Sequence, residues 1–279
     1  MLPRLPKTLI TGGSGMVGSY IDFGIKTDRG NLDVTDQDAV MAAVKKHKPK
    51  VIIHLAALTD LDIAEKNPTL AYHINTVGTY NVALAARAYK AKLVYISSTG
   101  VFDGTKKTPY TEKDIANPKN YYGHSKYAGE LIIQSLLKDY IIARACWMFG
   151  GGPSQDKKFI AKIVRQLAQK DITEIKALND VHGSPTYGKD LAAALKKLIA
   201  KNAKGVFHLT NKGTCSRFDV AKIIVETLKP SVKVLGVTGD YFNLPAKRVT
   251  NESAVSRVNL MRPWQQALRE YLLTEWSKF

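Results

Sequence analysis

Tyr122 and Lys126, in the run Tyr121-Tyr122-Gly123-His124-Ser125-Lys126, stand four positions apart just ahead of a helix-like stretch over 127–137. Residues at i and i+4 share one helix face, so this spacing puts an ammonium beside a phenol. A phenol with pKa about 10 is a poor proton donor or acceptor near neutrality. A neighbouring cation stabilises the phenolate and lowers that value by roughly 1–3 units. The pair reads as a tuned general acid/base. By itself the spacing also fits an amphipathic helix with an exposed pair, so the rest of the chain must decide. Upstream, a strand-like run over 92–96 ends in Ser97-Ser98-Thr99. Hydroxyls at a strand's carboxyl end can polarise a substrate carbonyl, or simply cap the strand.

Near the start, a short β-like run over 7–10 leads into Thr11-Gly12-Gly13-Ser14-Gly15-Met16-Val17-Gly18. Gly12, Gly15 and Gly18 form GxxGxxG at a strand-to-helix turn. There glycines permit the tight bend and the close approach of a pyrophosphate to free N–H groups at the helix start. Ser14, Met16 and Val17 belong to the same cofactor cradle. The next unit is short: 19–23 leaves room for only a stub of helix before Asp28 and Arg29. Asp28 can take the ribose hydroxyls, or Arg29 a 2′-phosphate, so NADH and NADPH both remain open. Asp33 either reaches an adenine or serves as a turn aspartate, and Asp36 is placed to cap a helix over 37–47. A buried parallel strand over 51–57 ends in Leu55-Ala56-Ala57, small enough at its end for a cofactor backbone to pass. Thr59, Asp60 and Asp62 follow where open α/β sheets bind ligands.

The elements that must position these residues alternate along the chain. A helix over 68–90 carries Asn75, a polar residue more usual there in a structural role. A strand over 141–144 leads into Cys146-Trp147-Met148-Phe149-Gly150-Gly151-Gly152-Pro153. Then come a helix (159–169), a strand (174–178), a turn-rich loop (179–186), a helix (188–200) and a strand (205–209). Beyond Thr210 the pattern becomes helix (217–228), short strand (233–235), loop (237–258) and a final helix after Pro263. This implies an α/β fold: a Rossmann-type, doubly wound parallel sheet with a smaller C-terminal α/β lobe. The expected division is 1–149 with 183–209 for the cofactor, and 150–182 with 210–279 for the substrate.

Composition narrows the function classes. At 279 residues, 45% hydrophobic and 23% charged, the chain has ordinary globular chemistry and no apolar run long enough to span a membrane. The first seven residues carry no apolar core of signal-peptide length. Cys146 and Cys215 have no CxxC spacing, which argues for a reducing, cytoplasmic setting and against a disulfide framework. No His/Cys/carboxylate group has metal-ligand spacing, so no catalytic metal is expected. The net charge of +17 is scattered, apart from Lys45-Lys46-His47-Lys48-Pro49-Lys50 at a helix end. It favours a basic solvated surface over nucleic-acid binding.

Together these residues resemble the extended short-chain dehydrogenase/reductases and, within them, the dTDP-4-dehydrorhamnose reductases. The superfamily's Ser/Thr–Tyr–Lys triad falls on Ser98, Tyr122 and Lys126, and its TGxxGxxG on Thr11 to Gly18. The subgroup is carried by Val101-Phe102-Asp103-Gly104, by Arg144 to Trp147, and by Asn179-Asp180-x-x-Gly183-x-Pro185-Thr186. The resemblance implies NAD(P)H-dependent reduction of a 4-keto nucleotide sugar, in supply of cell-surface polysaccharide precursors. Tyr122 would be the acid and Ser98 would hold the carbonyl. Lys126 would tune Tyr122 and bind the nicotinamide ribose. Trp147 and Arg248 would contact sugar and phosphates, with Thr59 beside them. It also implies a homodimer built on helices such as the one carrying Tyr122.

The chain departs from the subgroup at Thr99-Gly100, where Asp-Tyr is usual, at Ala145-Cys146, and at Arg248-Val249 in place of Arg-Pro. The alternatives are a nucleotide-sugar epimerase or dehydratase, and a non-catalytic regulatory subunit of the same fold. Thr99-Gly100 offers no acid for dehydration, and a pure binder has no need of a tuned phenol.

Overall fold

The computed structural model describes residues 5–243 and 245–277; the rest of the expected N-terminal segment, residues 1–4, lies outside them. Six parallel strands form the central sheet. In spatial order they are Gly205–His208, Tyr140–Ala145, Lys92–Ser98, Val51–His54, Thr8–Thr11 and Ile25–Lys26. Strand order reverses beside Thr8–Thr11, which has the second strand on one side and the third on the other, and ligand crevices open at such points.

Alternation along each strand divides the core. Leu9, Ile52, Leu93 and Ile142 pack with Val40, Val44, Val82 and Ile133 of the helices Gln37–His47, Gly78–Ala88 and Tyr121–Leu136. Their neighbours Ile10, Ile53, Val94 and Ile141 pack on the opposite face with Val17 and with Leu191 and Leu195 of Gly188–Ala200. This is the period-two side-chain pattern of a sheet buried on both faces.

A second cluster surrounds the parallel strand pair Glu174–Leu178 and Lys233–Val237. Three helices, Phe159–Leu167, Arg217–Leu228 and Trp264–Glu275, cover it. Phe149 and Tyr187 join this cluster, and the Tyr20 and Tyr187 hydroxyls both donate to the Glu275 carboxylate. Met261 instead packs into the core of the large sheet, so the C-terminal segment crosses back once before its last helix.

Three elements differ from the sequence expectation. The helix over 68–90 is broken into Pro68–Tyr72, a wide turn with i→i+5 bonding at His73–Val77, and Gly78–Ala88. The strand expected over 51–57 stops at His54; Leu55 N–H still donates to the Thr11 carbonyl, and beyond it Leu58 N–H donates to the Asn75 side chain. The fourth strand, Lys92–Ser98, conversely extends through Ser98, and the helix behind it starts at Tyr121, where Asn120 accepts from Gly123 N–H.

Candidate active site

Gly12 makes the first bend at φ +67°, and a Cβ there would lie 2.6 Å from Ala56 N. Gly18 lies so close to Gly13 that any side chain would collide with its carbonyl. The turn therefore presses against the end of the third strand and leaves a groove of about 440 Å³ at the reversal of strand order. Gly12, Ser14, Gly15, Asp28, Arg29, Asp33, Leu55, Ala56 and Ala57 line it, as do Thr35 and His73, which the sequence did not single out. Met16 and Val17 do not: Val17 is buried in the core of the large sheet, because the four-residue helix Met16–Ser19 turns that face inward. Asp33 accepts from Thr35 N–H (2.9 Å) and Oγ1 (2.7 Å), which holds its carboxyl below the usual range. Arg29 is 85% exposed at the mouth and only loosely matched by Asp33 at 3.7 Å. A glycine cradle with a free guanidinium at its rim fits a dinucleotide phosphate.

A second cavity, of about 210 Å³, opens between the sheet and the smaller lobe. It brings Ser98, Tyr122, Thr59, Trp147 and Arg248 together from five separate segments. Ser98 Oγ accepts from Gly100 N–H at 3.0 Å and caps the short turn Thr99–Val101. Gly100 lies between Ser98 and the Tyr122 ring: a Cβ there would sit 3.2 Å from Ser98 Oγ and 3.6 Å from Tyr122 Cε1. Gly123 in turn lets the helix Tyr121–Leu136 press on the Gly100 carbonyl. Burial pushes the Tyr122 phenol up to about 12, against the opposing hydrogen bond with Ser98.

Lys126 lines neither cavity. It is 2% exposed, and its Nζ lies 4.1 Å from the centroid of the Tyr95 ring. Burial pushes it down to about 7, partly offset by Glu130. The sequence expectation that the ammonium would pull the phenol down is thus reversed: burial is the largest influence on each group and drives both toward their neutral forms. Glu130 is committed elsewhere, since its carboxylate grips Arg144 Nε (2.9 Å) and Nη2 (2.6 Å) and accepts from Ser97 Oγ (2.5 Å).

Thr59 is held by Lys158 Nζ through its carbonyl (2.9 Å) and hydroxyl (3.1 Å). Arg248 donates to Asp62 Oδ1 (2.9 Å) and to the Ala246 carbonyl (2.9 Å), tying the late loop to the helix Leu61–Lys66. Trp147, at φ +40°, lies between Gly183 and the guanidinium of Arg217.

A family model described as the RmlD substrate binding domain matches residues 6–275. The chain belongs to the RmlD substrate-binding family. It is similar to a dTDP-4-dehydrorhamnose reductase from Streptomyces griseus, at 38% identity over 76% of this chain and 72% of that one. It is 33% identical to the spore coat polysaccharide biosynthesis protein SpsK of Bacillus subtilis (strain 168), over 96% and 97% of the two chains. Among solved structures, dTDP-4-dehydrorhamnose reductase of Bacillus anthracis in complex with NADP superposes with TM-score 0.91 and 34% identity, covering 97% and 99% of the two chains.

Family membership leaves part of this chain's cavity unaccounted for. Lys158, Phe159, Arg217 and Glu252 line it, and none stands out in the sequence. Lys158 meets Thr59 across 99 positions, and Glu252 reaches the cavity because its N–H donates to the His182 carbonyl at 2.8 Å. Only the folded lobe puts these residues together.

Proposed function

We propose that this chain is an NADPH-dependent reductase of a 4-keto sugar carried on a nucleoside diphosphate, with dTDP-4-dehydrorhamnose as its substrate. The observation that carries this reading is the meeting of Ser98, Tyr122 and Trp147 in one cavity beside the glycine groove. The names of the relatives, including the NADP complex, support it. In this reading residues 1–149 and 183–209 hold the cofactor, and 150–182 and 210–279 hold the sugar nucleotide.

A reduced nicotinamide bound in the groove supplies the hydride. The Ser98 hydroxyl, its oxygen fixed by Gly100 N–H, turns its proton to the substrate carbonyl oxygen. Tyr122 protonates that oxygen as negative charge develops. A phenol pushed up to about 12 stays protonated throughout the working range, which suits an acid in the direction of reduction. Lys126 supplies charge behind Tyr122, and Arg29 accepts the phosphate that distinguishes NADPH from NADH. Tyr80, Tyr121 and Leu131, exposed on neighbouring helices, supply an apolar face for a homodimer.

The test is oxidation of NADPH and NADH with dTDP-4-dehydrorhamnose, followed by nicotinamide absorbance, in the native chain and in Tyr122→Phe. Turnover lost in the variant with cofactor binding retained is expected. Unchanged turnover in Tyr122→Phe would remove the acid from the scheme. No turnover by the native chain with any 4-keto sugar nucleotide would sink the reading.

A further inference from the structure

Two charged side chains in the substrate cavity, Glu252 and Arg217, temper each other's charge without forming an ion pair. Among the described residues, no Lys or Arg nitrogen lies within 4.0 Å of the Glu252 carboxylate, and no carboxylate lies that close to Arg217. Arg217 opens the helix Arg217–Leu228 and stacks on aromatic faces. Its guanidinium carbon is 3.6 Å from the Trp147 ring centroid and 4.9 Å from that of Phe159. Stacking fixes the plane of the fork and leaves its N–H donors unfilled. Trp147 itself is immobilised, since a Cβ on Gly183 would lie 2.4 Å from its ring.

Glu252 is placed from the backbone. Its N–H donates to His182 O at 2.8 Å, and its carbonyl accepts from Cys146 Sγ at 3.4 Å. Burial pushes its carboxyl up, countered by Arg217, Arg248 and a hydrogen bond with Trp147. It lines the same cavity as Ser98 and Tyr122, and its charge also raises the Tyr122 phenol.

The Glu252 carboxylate, held by Trp147, keeps further acceptor capacity, and the stacked Arg217 guanidinium keeps donors, so a ligand can bond to both. The carboxylate disfavours a diphosphate beside it by like charge. The two other cations in the cavity, Arg248 and Lys158, are anchored on Asp62 and Thr59. What suits both groups is a neutral ring bearing several hydroxyls.

We propose that Glu252 and Arg217 form the specificity clamp for the sugar ring, Glu252 accepting from hydroxyls near the reacting carbonyl and Arg217 donating to ring oxygens against Trp147. The assignment rests on the reductase reading for its substrate class. A hydroxyl bonded to a charged partner discriminates by about 10- to 100-fold when the partner is lost.

The experiment is calorimetric binding of dTDP-L-rhamnose and of bare dTDP to the native chain, Glu252→Gln, Glu252→Ala and Arg217→Met, with UDP-glucose/UDP and GDP-mannose/GDP pairs alongside. Circular dichroism confirms that each variant is folded, and the isosteric Glu252→Gln serves if Glu252→Ala does not fold. The expected result is a sugar-to-diphosphate affinity ratio that falls about 10- to 100-fold in Glu252→Ala and Arg217→Met, while bare dTDP binds within about 3-fold of native. With the keto substrate, Glu252→Gln raises KM and leaves kcat within about 3-fold. Equal weakening of sugar nucleotide and bare diphosphate would overturn the clamp and make Arg217 a phosphate residue. An unchanged ratio would overturn it, as would a native chain that prefers none of the three sugar nucleotides to its diphosphate. A native chain that shows the ratio effect but reduces no 4-keto substrate overturns the reductase reading and leaves the clamp standing.

Discussion

The Lys126 ammonium rests 4.1 Å from the centre of the Tyr95 ring, and the Tyr95 hydroxyl donates to the Lys126 carbonyl at 3.3 Å. An aromatic face stabilises the cation less than water does when burial is complete, so the group sits at about 7 in place of its usual value near 10.5. Glu130, one turn away, cannot restore the difference because Arg144 already occupies it.

This placement predicts a pH limb. Below about pH 7 Lys126 is charged; above it the free enzyme holds a neutral amine and loses the field that supports proton release from Tyr122. The value of kcat/KM for the keto substrate therefore falls on the alkaline side with an apparent pKa near 7. Tyr122, up at about 12, adds no limb of its own in that range. In Lys126→Arg, which stays charged, the limb disappears even if the maximum rate is lower. A native profile flat between about pH 6 and 9 would show that the Lys126 charge is not used.

Asn75 is the second prediction. Its Oδ1 accepts from Leu58 N–H (2.8 Å), and its Nδ2 donates to Leu58 O (3.0 Å) and Ser125 Oγ (2.9 Å). One side chain thus joins the loop after the third strand to the residue preceding Lys126. Asn75→Ala is expected to lower kcat by about 10- to 100-fold and to cost about 2–4 kcal/mol in urea unfolding, as three hydrogen bonds, one fully buried and two partly so, are lost together. Full kcat in a destabilised variant would reduce Asn75 to a structural link.

Asn75 also marks how much was legible from the sequence. The parallel α/β sheet and the glycine turn were readable because they depend on local patterns: short apolar runs alternating with helical stretches, and a strand followed at once by GxxGxxG. The broken helix was not, since His73–Val77 widens so that Asn75 can serve two distant backbone groups, and its composition is that of an ordinary helix. The direction of the Tyr122 and Lys126 shifts was misread for a related reason. Spacing gives proximity, but burial depends on Tyr95, Ala71 and Ala64, which pack there only in the fold. Arg217 and Glu252 were invisible because each reaches the cavity from the smaller lobe, where no periodic signal points inward.

The proposed choice of NADPH over NADH rests on Arg29. It is exposed at the groove mouth and paired with Asp33 only at 3.7 Å, a contact that contributes little in solvent. Arg29→Ala is expected to raise KM for NADPH by about 10-fold while KM for NADH stays within about 2-fold, a difference read by steady-state kinetics with each cofactor. Equal effects on both would move the phosphate contact to another residue of the groove.

The last prediction concerns acid stability and His54. The imidazole is fully buried, its Nδ1 2.7 Å from Thr11 Oγ1 and its Nε2 3.2 Å from Thr79 Oγ1. Thr79 spends its proton on the Asn75 carbonyl, so Thr79 accepts from His54 Nε2–H, and Nδ1 accepts from the Thr11 hydroxyl. That network needs the neutral ring. Burial, with the nearby Lys126 charge, pushes the imidazole down to about 3 from its usual 6.5. Between those values the unfolded chain binds a proton that the folded chain refuses. Stability is therefore held above about pH 6.5 and lost as pH falls, by up to about 1.4 kcal/mol per unit from this group. Urea midpoints measured at about pH 7, 5.5 and 4 should show that slope in the native chain and a shallower one in His54→Asn, although the variant starts from lower stability. Parallel slopes in the two proteins would mean that other groups govern acid unfolding. An imidazole resonance that titrates near pH 6.5 in the folded chain would show that the ring accepts its second proton in place.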